Sequence, residues 1–165
     1  MEVKESFQSL LKMGETNLKT GIDQIRYDLA CKGLSKTPAG ADVYLDQSID
    51  LLSNETLKAL NEIKSLIYKP KEWEPIRALL NQFIEEQCEA FYDFLVNDWE
   101  QPSAQVLNQL ALVKSSVKQE NGLFIDRQKL KLSRGEHLMK DLIKILFFGM
   151  AAGIVGFLLK IILSR

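Results

Sequence analysis

Histidine is almost missing from this chain: His137 is the only one. Within one chain, that excludes His-rich metal sites and the Glu-x-x-His pairs of iron-binding bundles. A serine or cysteine triad would depend on that one imidazole. Cysteine is nearly as scarce. Cys31 and Cys88 stand alone and far apart, which gives neither a disulfide framework nor a paired-cysteine metal clip. No G-x-x-x-x-G-K-[S/T] or G-x-G-x-x-G run occurs, so no phosphate loop is expected. The net charge of −1 lacks the basic excess of a nucleic-acid binder. Strand alternation is missing too, since Lys129-Leu130-Lys131-Leu132 is too brief to count. The opening MEVKESFQSLL carries acidic residues and no apolar run, unlike a secretory signal or a transit peptide. Together these gaps leave no catalytic residue, no metal site and no cofactor to expect.

What is present is dominated by one stretch, LIKILFFGMAAGIVGFLLKIIL, from Leu142 to Leu163. It is apolar on every face apart from Lys144 and Lys160, with no polar stripe of the kind a bundle helix shows. As a helix it measures about 33 Å, roughly the thickness of a bilayer's hydrocarbon core. The uncharged part, Ile145 to Leu159, spans only about 22 Å, but lysines at its ends can carry their ammonium groups to the headgroups. The reading is a transmembrane anchor in a lipid bilayer, flanked by Lys140, Lys144, Lys160 and Arg165. Gly149 and Gly153 form GxxxG, and Ala152 and Gly156 repeat the spacing one step round. Small residues four apart let two helix backbones approach closely, so a homo-oligomer through the span is expected. Arg127, Lys129, Lys131, Arg134 and Lys140 precede the span closely. The positive-inside rule then puts the N-terminal region in the cytoplasm, in a single-pass, tail-anchored layout.

The rest reads as helix. Phe7, Leu11, Gly14, Leu18, Ile22, Ile25 and Leu29 recur near the helical period, predicting a helix from about Glu2 to Leu29. Gly14 and Gly21 on that stripe point to a close neighbour, since each costs about 1 kcal/mol of helix stability against alanine. Lys32 to Ala41 reads as a loop, with Asp42 as the next cap. A second stripe runs Leu45, Ile49, Leu52, Thr56, Ala59, Ile63, Leu66. Lys69 to Pro75 interrupts, with Pro75 suited to a first helical position. A third stripe follows: Ile76, Leu80, Phe83, Ile84, Phe91, Phe94, Leu95. A shorter fourth helix, with Val106, Leu110, Val113 and Val117 in register, is expected to close at the turn dipeptide Asn121-Gly122. Short links between long helices favour antiparallel neighbours. The expected architecture is all-α: an up-and-down four-helix bundle over residues 1–122, a basic juxtamembrane linker over 123–141, and the anchor over 142–163. Within the linker, Ser133 and Glu136 form a candidate capping box, and Gly135 could permit a bend.

The densest polar cluster is Glu85, Glu86, Glu89 and Asp93. Positions 85, 89 and 93 step along one helix face, away from the phenylalanine stripe. Carboxylates so placed could hold a divalent cation or serve in acid–base work, but a solvated surface or a docking face for a basic partner is the commoner use. One short pattern, Phe7-x-x-Leu10-x-x-Met13-Gly14-Glu15, is similar to the Leu-x-x-x-Gly-Asp helix core of apoptosis regulators. Glu15 replaces the usual aspartate there, Asn17 stands where a further apolar residue belongs, and the family's Asn-Trp-Gly-Arg signature is missing, so no activity is carried over. The functional expectation is a non-enzymatic adaptor or scaffold at a membrane, with a protein partner of unknown identity and no nucleic acid. The alternative is a membrane-permeabilising effector whose amphipathic helices open into lipid.

Overall fold

The computed structural model describes the backbone of residues 2–163 and the side chains of residues 3–144. It is all-helical, with four long helices and no strand among the described residues: α1 (Glu2–Cys31), α2 (Pro38–Ile63), α3 (Trp73–Asp93) and α4 (Ser103–Leu163). Two antiparallel hairpins, α1–α2 and α3–α4, stack on each other, so that α1 meets α3 and α2 meets both α3 and α4. The side-chain ties report the directions. Down the hairpin α3–α4, Glu74 pairs with Lys129, Arg77 with Asp126 and Glu85 with Lys114, one number rising as the other falls. Between α2 and α4 both numbers rise, from Asp42 with Gln109 to Ser53 with Glu120, so those helices run in parallel.

All seven residues of the α1 stripe are buried, as are those of α2 apart from Leu66, which is 44% exposed. The period read from the sequence is therefore the packing face itself. Gly21 does mark a close approach, since a Cβ there would stand 2.7 Å from Leu51 of α2, whereas at Gly14 it would meet Glu55 only at ordinary contact distance.

The turn between α1 and α2 is built from backbone chemistry. Gly33 takes φ +70°, and the Leu34 N–H donates to the Leu29 carbonyl at 2.9 Å, closing α1 in a Schellman turn. The cap of α2 is Thr37, not the expected Asp42. Its Oγ1 accepts the Gly40 N–H at 3.0 Å, and Pro38 fills the first helical position. Asp42 instead accepts from Gln109 at 2.9 Å. At Gly40 a Cβ would stand 2.0 Å from the backbone carbonyl oxygen of Leu34. Backbone cannot swing aside as a side chain can, so Gly40→Ala should lower stability by at least about 2 kcal/mol. Gly14→Ala, whose Cβ would meet Glu55 at an ordinary 3.6 Å, should raise stability by up to about 1 kcal/mol. Thermal melts of the two variants check both signs.

Three further expectations are corrected. First, α3 begins at Trp73 rather than Pro75, after a 3-10 turn over Pro70–Glu72. Pro75 still lies in the first turn, where its missing N–H costs nothing. Second, α4 does not close at Asn121-Gly122 and is not the shortest helix; it runs for 61 residues, about 92 Å. Asn121 is 1% exposed and donates through Nδ2 to Thr56 Oγ1 at 3.0 Å, while Ile125 is fully buried just beyond. A tertiary partner and an apolar anchor hold this turn-prone pair in a helix. Third, no helix starts at Ser133 and Glu136, since α4 passes straight through them and Gly135.

Candidate functional site

Two regions carry exposed chemistry: the acidic ridge of α3 and the part of α4 beyond the bundle. On the ridge, the four carboxylates do not act together. Glu85 turns toward α4 and pairs with Lys114 at 2.7 Å and with Lys118. Those bonds hold its carboxyl below the usual carboxylate range and raise the Lys114 ammonium above the usual lysine value. Glu86 accepts from Gln82 on its own helix at 2.8 Å. Glu89 and Asp93 remain at the lip of a groove of about 370 Å³ between α3 and α4, floored by Tyr92, Leu107, Leu110 and Ala111. No three metal-ligating side chains converge among the described residues. Cys88 also lines the groove, but burial pushes its thiol up to about 11, far from a reactive thiolate. The arrangement is a largely apolar groove edged by Glu89 and Asp93 and by the Glu85–Lys114 pair.

The Glu85 tie has a pH signature. A carboxyl whose folded pKa is depressed adds stability above its unfolded pKa, near 4.3, and loses it as pH falls through the folded value. A raised lysine works the other way, losing its contribution as pH rises through its folded value, above about 10.4. Both side chains are more than a third exposed, so solvent screening keeps the pair below about 1 kcal/mol. Glu85→Gln should therefore cost little near neutrality and remove that part of the acid-side fall in a pH series of urea melts. An unchanged acid limb would count against the tie.

The second region follows Leu132, the last residue of α4 packed on the core among the described side chains. From Arg134 to Lys144 every side chain is exposed, among them Leu138, Met139, Leu142 and Ile143. Lys140 and Lys144 are exposed here as well. The side chains of Gly149, Ala152, Gly153, Gly156, Lys160 and Arg165 lie outside the described ones, as do those of all of Leu142 to Leu163 beyond Lys144. Among the described residues, no helix is long and apolar enough to cross a membrane.

One cluster joins two stripe residues, Phe91 and Phe94, to three that no stripe announced: Arg26, Tyr44 and Trp99. Arg26 lays its guanidinium over the Phe94 ring, 3.7 Å from the centroid, beside Tyr44. Tyr44, Phe91, Phe94 and Trp99 pack ring against ring where α3 ends in a π-helical turn, Phe94–Asp98. Burial pushes the Tyr44 phenol up, so it stays protonated, and the Arg26 guanidinium beside it serves as a cation–π lid on the ring cluster.

In comparisons with known proteins, no family model matches this chain, and neither does any curated protein or solved structure.

Proposed function

We propose that the chain is a non-enzymatic adaptor or scaffold, held at a membrane by Leu142 to Leu163 with its bundle on the cytoplasmic side. The observation that carries this reading is the continuity of α4, which leaves the bundle core and continues as helix to Leu163. A lone helix in water is marginal even for favourable sequences. The run beyond Leu132 shows apolar side chains to solvent without a protein neighbour among the described residues. Lipid further along α4 supplies the missing partner, and the Gly149-Ala152-Gly153-Gly156 face supports self-association there. The groove lipped by Glu89 and Asp93 suits a basic, amphipathic segment of a partner protein.

The permeabilising alternative needs the hairpins to separate in lipid. The cross-hairpin contacts of α2 with α4, including Thr56 with Asn121, oppose that. The experiment is reconstitution of the full chain in sealed, dye-loaded vesicles, followed by added protease. Retained dye, with bundle peptides released and a protected fragment containing the span, is the expected result. Dye release at modest loading would favour the effector, and a fully protected bundle would reverse the orientation.

A further inference from the structure

The connection between α2 and α3 emerges at the end of the bundle from which α4 departs. Trp73, just after it, packs its ring 6.3 Å from Phe124 of α4, and Glu74 pairs with Lys129. This connection is tied down locally. Short 3-10 turns, Lys64–Leu66 and Pro70–Glu72, flank Ile67, which is 3% exposed and plugged into the core. The Glu72 carboxylate accepts the N–H groups of Tyr68 and Lys69, each at 3.0 Å.

Around the plug, two bulky side chains face outward side by side with lysines. Leu66 is 44% exposed and Tyr68 is 73% exposed. Lys64, Lys69 and Lys71 surround them, all exposed, and none makes an ion pair with a described carboxylate. Acidic residues lie at this end too, but most are engaged: Glu74 pairs with Lys129 and Asp126 with Arg77, while Glu62 stands two residues before Lys64. Near the loop, Glu5 and Glu72 share a hollow of about 700 Å³ with Tyr68 and Leu66, and Glu72 is engaged by the two backbone N–H groups.

A tyrosine and a leucine held out among lysines match the chemistry of a bilayer interface. The aromatic body sits at headgroup depth with its hydroxyl in water, and ammonium groups meet anionic lipid. Leu142 lies ten residues beyond Leu132, about 15 Å of helix. The headgroup layer reaches about 5–7 Å out from the hydrocarbon. A tilt of about 20° lowers a helix neighbour about 10 Å away by about 3 Å. The long lysine and tyrosine side chains cover the remainder. We infer that the loop Lys64–Lys71 is a second membrane contact, a foot that rests on anionic lipid headgroups and holds the bundle leaning against the bilayer. The inference rests on the anchoring reading above.

The test uses the full chain carrying Cys31→Ser and Tyr68→Cys, labelled at position 68 with a fluorophore; Cys88 is buried and stays unlabelled. It is reconstituted in vesicles of phosphatidylcholine, alone or mixed with phosphatidylserine. Acrylamide quenching of the label should fall about twofold or more in the anionic vesicles. Adding Lys64→Glu, Lys69→Glu and Lys71→Glu should restore the neutral-lipid value. A label placed by Tyr27→Cys, exposed near the far end of the bundle, should not respond to lipid charge. Equal quenching at position 68 in both lipids, with the chain floating with the vesicles, overturns the foot and leaves the anchor standing. A chain that fails to float overturns both.

Discussion

Arginine placed at both Ala151 and Val155 should move the full-length chain from the membrane pellet to the soluble fraction. The expected cost is large because the two sites lie near the middle of the Leu142 to Leu163 stretch. On an insertion scale, an arginine at a helix centre costs about 2.5–3.5 kcal/mol, so the pair costs about 5–7 kcal/mol. Each leucine, isoleucine, valine or phenylalanine contributes only about 0.3–0.6 kcal/mol in favour. Two arginines therefore cancel roughly the whole favourable sum of the stretch. The changes are remote from the bundle core, which ends near Leu132, so the released protein should keep its cooperative melt. Leucine at the same two positions should leave the chain in the pellet. If the double arginine chain stays with the membrane, the stretch is not what holds it there.

Trp73→Ala should lower the stability of the bundle by about 3–5 kcal/mol, the usual cost of emptying a buried aromatic site. Trp73 is 1% exposed at the start of α3, where it joins the α2–α3 connection to Phe124 of α4. Its indole N–H finds no acceptor among the described residues. The ring therefore contributes through its apolar body alone, and a buried donor without a partner is itself a cost. Trp73→Phe keeps most of that body and removes the unpaired donor, so it should cost less than about 1.5 kcal/mol. Urea unfolding of the two variants separates these expectations. Equal losses would mean that the indole nitrogen has a partner after all, and a loss below about 1 kcal/mol for alanine would mean the site collapses freely.

The helices were legible because their packing faces repeat. Phe7 through Leu29 shows why: a regular stripe of seven residues can be buried on one side of one helix and nowhere else. Trp73 and Trp99 were not legible as core, because each falls near a proline break where the stripe is interrupted, and Tyr44 sits one position off the α2 stripe that begins at Leu45. Their burial depends on how two hairpins meet. Asn121-Gly122 carries a strong local turn signal, overridden by Thr56 on a helix 65 residues away. Local propensity loses to a buried hydrogen bond and an adjacent apolar residue. On the acidic ridge, the spacing of Glu85, Glu89 and Asp93 along one face was readable. What each does was not, since Lys114 and Lys118 reach Glu85 only once α3 and α4 are paired. Exposed Leu66 was misread for the same reason: its period continues the α2 stripe, yet α2 has ended at Ile63.

The membrane reading is tested most directly by washing vesicles that carry the intact, unmodified chain with alkaline carbonate and then floating them on a density gradient. The chain should rise with the lipid, its bundle still open to protease from the cytoplasmic side. Recovery of the chain at the bottom of the gradient, folded and free of lipid, would contradict that reading and leave Leu142 to Leu163 to be covered by protein.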